Sequence, residues 1–144
     1  MLKGISPVVG PDLLATLCRM GHGDEIVFAD AHFPAESLGP AVIRMDGVYI
    51  ETLLKGVMPL LELDQYDREA VIMMEVVPGD KYDPAVEEGY LAVIREHEKK
   101  EWKVTRMERF AFYKRAAGAF AIVVSGDTRK YANLILKKGV IQPF

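Results

Sequence analysis

One cysteine, one tryptophan and three histidines leave little material for several kinds of chemistry. Cys18 has no intrachain disulfide partner, and its place in the apolar helical pattern LLATLCRM predicts a buried structural thiol. No second histidine pair stands at a diagnostic metal-binding spacing. Positive charge is also scarce, with 18 Lys and Arg against 21 Asp and Glu and a formal charge of −3. No basic stripe interleaves with aromatic residues, which argues against a nucleic-acid partner. Long apolar runs are missing as well. The opening MLKGISPVVGPDLL is broken by Gly4, Pro7, Gly10 and Pro11, unlike a signal peptide, and no later stretch reaches membrane-spanning length. The expectation is a soluble cytoplasmic protein with no membrane partner. SGDTRKYAN has one Gly and lacks the spacing of a phosphate-binding loop.

What is present is material for a core. Half of the 144 residues are hydrophobic, which suits one compact domain over 1–144. Strand-like and helix-like segments alternate, predicting an α/β fold: a three-layer sandwich with a mostly parallel, mixed sheet flanked by helices. Pro11 opens a helix that carries Leu13, Leu14, Leu17 and Met20 at helical spacing and stops at Gly21. EIVFAD, AVIRM, AVIMMEVV, FAIVVSG and ANLILKKGV read as strands. IETLLKGVMPLLEL, weakened by Gly56 and Pro59, reads as a helix, as do PAVEEGYLAVIREHEKKEW and RMERFAFYKRAAGA. No repeat or linker divides the chain.

The block GHGDEIVFADAHFP, residues 21–34, frames the first strand with polar residues. In open α/β sheets ligands gather beyond the carboxyl ends of the strands, where Asp30 and His32 are expected. An acid ending an apolar strand either caps the next turn or accepts ligand hydroxyls. His22 stands between two glycines that leave its imidazole uncrowded; it reads equally as a turn residue after a helix cap. His32 shares a strand face with Asp30, a spacing that admits a metal reading with His22 as third ligand, weakened by the bend at Phe33-Pro34. His97, in REHEKK, belongs on a solvated helix face. Arg109 pairs with a surface acid or meets a ligand, and Tyr131 and Asn133 form a turn into the last strand or contribute to a site. Phe110, Phe112 and Tyr113 read as core and interface residues, with one ring available to an apolar ligand face.

The segments LKGISP, GHGDEIVFADAHFP, ERFAFYKRA and YANLILKKGV together resemble the RbsD/FucU family, over essentially the whole chain, and its fucose mutarotase branch more than its ribose pyranase branch. The resemblance implies an RbsD-like fold and an isomerase that interconverts the anomers of L-fucose or a close relative. It implies His22 as the catalytic proton donor and acceptor, and Asp30, Arg109 and the triplet Tyr131-Ala132-Asn133 as the substrate-binding set. It also implies a homo-oligomer, a ring-like decamer in several members, with the monosaccharide site near a subunit boundary, and no cofactor or metal. REHEKKEWKVT matches no motif and carries no functional expectation.

The chemistry agrees with these residue types. Mutarotation opens a cyclic hemiacetal and recloses it on the other face, removing a proton from the anomeric hydroxyl and delivering one to the ring oxygen. Histidine, with an unperturbed pKa of about 6.5, serves as acid or base near neutrality. Asp30, Arg109, Tyr131 and Asn133 supply donors and acceptors for sugar hydroxyls. Two other classes remain open: a non-catalytic sugar-binding or regulatory protein, and a phosphate relay through His22. Asp30 and Tyr131 are both candidates for the second proton-transfer position.

Overall fold

Side-chain alternation along the strands decides the layers. In β1 (Glu25–Ala29), Ile26 and Phe28 enter one hydrophobic core and Val27 and Ala29 the other, since successive residues on a strand face opposite ways. The same split runs through β3 (Val71–Met74), β5 (Ala121–Ser125) and β6 (Leu134–Lys137). β2 (Ala41–Met45) and β4 (Thr105–Met107) complete a six-stranded sheet of order β2-β5-β1-β6-β3-β4. The computed structural model describes residues 1–143 of the chain.

Helices α1 (Pro11–Arg19), α3 (Ile50–Val57) and α4 (Pro84–His97) cover one face through Leu13, Leu17, Leu53, Leu54 and Val93. Helices α2 (Ala35–Leu38) and α5 (Arg109–Ala117) cover the other through Ala35, Phe112 and Ala116. The result is the expected three-layer α/β sandwich. Three of the five strand pairings are parallel, and β6 runs antiparallel to both β1 and β3, so five strands point one way and β6 the other. The carboxyl ends of β1, β3 and β5 therefore meet the start of β6 at one end of the sheet. The register pairs Phe28 with Leu134 and Ala29 with Val124, which brings Asp30, Asn133 and the β5–β6 loop together.

Several boundaries differ from the sequence expectation. The helix expected from residue 106 starts only at Arg109, because Thr105–Met107 pair with Ile72–Met74 as an edge strand and the Glu108 carboxylate caps the helix, accepting from the Phe110 and Ala111 N–H groups at 2.9 and 3.0 Å. α4 stops at His97, short of the expected 102; Glu98 instead accepts from the Leu63 N–H at 2.9 Å, and Trp102 is buried in the core. α3 ends at Val57, ahead of Pro59, which has no N–H to continue a helix. Cys18 is exposed rather than buried, lying on the solvent side of α1 between the buried Leu17 and Met20. Among the described residues no helix is long and apolar enough to cross a membrane.

Candidate active site

At the carboxyl ends of the strands the structure forms a cleft of about 430 Å³. Asp30, Arg109, Tyr131 and Asn133 line it, with Phe33, Met74 and Tyr113 as an apolar wall. Asp30 follows directly from β1 and is 8% exposed. Its N–H donates to Asn133 Oδ1 at 2.7 Å, and its Oδ1 accepts from the His32 N–H at 2.9 Å. Burial raises the Asp30 pKa, and the His32 N–H, the His32 charge and the Asn133 side chain act against it. Arg109 is the first residue of α5, placed at the cleft by the β4 pairing; it stacks on the Phe110 ring, 4.8 Å from its centroid, and makes no ion pair among the described residues. The surface pairing considered for it is thus not what the chain forms.

The triplet 131–133 is held from beneath. Tyr131 has φ 58°, in the left-handed region. Such a backbone costs an aromatic residue about 1–3 kcal/mol and persists only where the surroundings impose it. Ala132 is fully buried and its carbonyl accepts from the Tyr90 hydroxyl at 2.8 Å, while its neighbours Tyr131 and Asn133 line the cleft. Behind the loop, Ser125 Oγ donates to Ala29 O at 2.7 Å and accepts from the Asp127 N–H at 3.1 Å. Arg129 grips the fully buried Asp127 with two hydrogen bonds, at 2.9 and 2.7 Å. Burial pushes the Asp127 pKa up, and the Arg129 contacts outweigh it and hold the pKa low. Sequence reasoning missed this support. The available signal was an acid and an arginine two residues apart inside SGDTRKYAN, where the loop reading hid them.

His22 lies elsewhere. It precedes β1 whereas Asp30 follows it, and at ~3.3 Å per residue the strand alone separates Asp24 from Asp30 by about 20 Å. A single chain therefore does not bring His22 to the cleft. Nor does it let His22 share an ion with His32, which stands at the cleft. His22 is nevertheless built into place. Its Nε2 lies 3.0 Å from Oδ1 of Asp64, a buried carboxylate that also accepts from the Tyr66 N–H at 3.1 Å. The turn around it is clamped: Gly23 has φ 87° and donates to Lys138 O at 2.8 Å, while Lys138 Nζ donates to the Leu17 and Met20 carbonyls at the end of α1. Half of the imidazole surface remains open, beside the Tyr66 ring.

The fold that carries this cleft at one end of its sheet and the His22–Asp64 pair before β1 has known relatives. The model of the RbsD/FucU transport protein family matches residues 3–141. The chain belongs to this family. Within it, the chain is 54% identical over 140 residues to the L-fucose mutarotase of Actinobacillus pleuropneumoniae serotype 5b (strain L20), covering 97% of both chains. It is 56% identical to the L-fucose mutarotase of Glaesserella parasuis serovar 5 (strain SH0165), covering 97% of this chain and 96% of the relative. Its fold matches a solved fucose mutarotase from Streptococcus pneumoniae in complex with L-fucose, with a TM-score of 0.92 and 45% identity over 98% of this chain and 100% of the other.

Proposed function

We propose that the chain is an isomerase that interconverts the α and β anomers of L-fucose, with the sugar in the cleft at the carboxyl ends of the strands and His22 from a neighbouring copy completing the site. The observation that carries the sugar reading is the cleft itself: Asp30, Arg109, Tyr131 and Asn133 present donors and acceptors opposite the Phe33, Met74 and Tyr113 wall. A 6-deoxy sugar has this character, with hydroxyls on most positions and one methyl end. The full-length similarity to named L-fucose mutarotases supports it.

The reaction needs a group that takes the anomeric proton and one that protonates the ring oxygen as the C–O bond breaks; the same transfers in reverse close the ring on the other face. His22 suits the first role because its Nε2 is engaged by Asp64, which orients the ring and leaves Nδ1 for the sugar. Since β1 separates His22 from the cleft of its own chain, the reading requires a second copy to carry it there. His32, which lines the cleft of the same chain, supports a second reading with the acid–base group in cis.

Saturation-transfer NMR of L-fucose with and without the protein tests both. Wild-type protein is expected to speed anomer exchange, and His22→Gln to lose about 10²–10⁴-fold of that acceleration, the usual worth of a positioned acid–base group, while keeping part of its sugar affinity. Wild-type rates in a folded His22→Gln variant, with loss in His32→Gln, would move the proton transfer to His32.

A further inference from the structure

The loop after β3 forms one wall of the cleft through contacts that the proton transfers above do not use. Tyr131 Oη donates to Asp80 Oδ2 at 2.6 Å and accepts from the Val77 N–H at 3.2 Å. The other carboxylate oxygen, Asp80 Oδ1, accepts from Lys130 Nζ at 3.0 Å and from the Lys81 N–H at 2.8 Å. Asp80 thus holds two consecutive residues of the β5–β6 loop. The turn that presents it closes with the Asp80 N–H on Val77 O at 3.0 Å, with Gly79 at φ 84°.

A phenol has one proton to give and two positions at which to accept. Here the proton goes to Asp80 and one acceptor position to Val77, which leaves one acceptor position for the cleft that all three residues line. Tyr131 needs such an anchor, because it is the one non-glycine residue with positive φ among the described residues and its own backbone preference would not keep the ring there.

We propose that Asp80 is a positioning residue for the sugar reaction: it fixes the Tyr131 phenol so that the phenol meets a sugar hydroxyl as a hydrogen-bond acceptor. The proposal rests on the mutarotase reading above and extends it to a residue outside the set His22, Asp30, Arg109 and 131–133. No bond is made or broken at Asp80. Hydrogen bonds from Tyr131 and Lys130 hold its pKa at about 2, so it stays ionised. Its hydrogen bond in turn pushes the Tyr131 pKa above its usual value, in the direction expected for a phenol that donates to a carboxylate.

Four full-length proteins decide the matter: wild type, Asp80→Ala, Tyr131→Phe and the double variant. With L-fucose, exchange NMR is expected to show kcat/KM falling about tenfold in each single variant, with little further loss in the double, because the first change already removes what the second acts through. Asp80→Asn retains an acceptor for the phenol and should recover most of the rate. Losses that multiply in the double variant, or wild-type rates in Asp80→Ala, overturn the proposal. A second readout needs no sugar. In protein labelled at the tyrosine 13Cζ, the resonance that disappears in Tyr131→Phe should titrate at lower pH in Asp80→Ala than in wild type; an unchanged titration also overturns the proposal. Failure of the wild-type protein to speed exchange would instead sink the mutarotase reading, and the titration would then report separately whether Asp80 holds the phenol.

Discussion

Asp30 shows how a cleft-lining residue can work against the fold. Burial raises its pKa above 3.8, so the folded chain holds the Asp30 proton more tightly than the unfolded chain does. Stability from this group is fully present below about 3.8 and is lost as pH rises through the folded value. Replacing Asp30 by Asn keeps an acceptor for the His32 N–H and removes the charge. The expected result is a melting temperature roughly 1–3 °C above wild type near pH 7, a gap that closes as the pH approaches 4, and weaker L-fucose binding. Thermal unfolding of both proteins across that pH range checks it. A gap that does not change with pH would show that desolvation of the charge is not what Asp30 costs. Asp80 has the opposite sign: its partners lower its pKa to about 2, so the hold on Tyr131 is expected to fail only in strong acid.

The elements place these side chains through a few close crossings. β6 leaves the sheet at Lys137 and passes the segment before Asp64 so tightly that a Cβ on Gly139 would run into the Leu63 backbone. The crossing is fastened by Gly139 N–H to Glu62 O at 2.8 Å and Asp64 N–H to Lys137 O at 3.0 Å. Asp64 therefore reaches His22 because β6 carries it there. Gly139→Ala is expected to destabilise the protein by about 1–3 kcal/mol and to slow anomer exchange more than it weakens sugar binding, since the displaced carboxylate orients the histidine and not the sugar. Urea unfolding and calorimetric titration on the same preparation separate the two effects. Equal losses in affinity and rate would tie the crossing to the cleft instead.

At the scale of the whole molecule, the sheet keeps the cleft and the His22–Asp64 pair apart. The cleft opens at the carboxyl ends of the strands and the His22–Asp64 pair at the other end of β1, so one copy holds both parts without joining them. The proposed function calls for an assembly in which each cleft receives the histidine of a neighbour, in keeping with the closed symmetry of most homo-oligomers. Co-expression gives a direct check. His22→Gln and Arg109→Ala are each expected to be poorly active alone, whereas mixed assemblies should regain activity, because random mixing leaves about a quarter of the sites with both residues intact. Sedimentation of the wild type should show an oligomer at micromolar concentration. A fully active monomer, or mixed assemblies with no recovery, would remove the shared site.

The layers were legible in the sequence because side-chain alternation is local. EIVFA, VIMM, AIVVS and LILK are short, nearly continuous apolar runs that read as buried strands whatever surrounds them, and AVIRM was bounded to the residue. Asp30, Arg109, Tyr131 and Asn133, which line the cleft, were named through the family resemblance rather than through any local pattern. Three things were not legible. The edge strand Thr105–Met107 is three residues long and exists only through its pairing with β3, so its own sequence reads as the start of a helix. The supports Asp64, Asp80 and Asp127 stand far along the chain from His22 or inside turns, and an acid in a loop sequence looks solvated until the fold buries or pairs it. And the fourteen-residue block that reads as one motif is divided by its own strand, because an extended chain separates its ends: adjacency in sequence put His22 beside Asp30, and the geometry of β1 put them at opposite ends of the sheet.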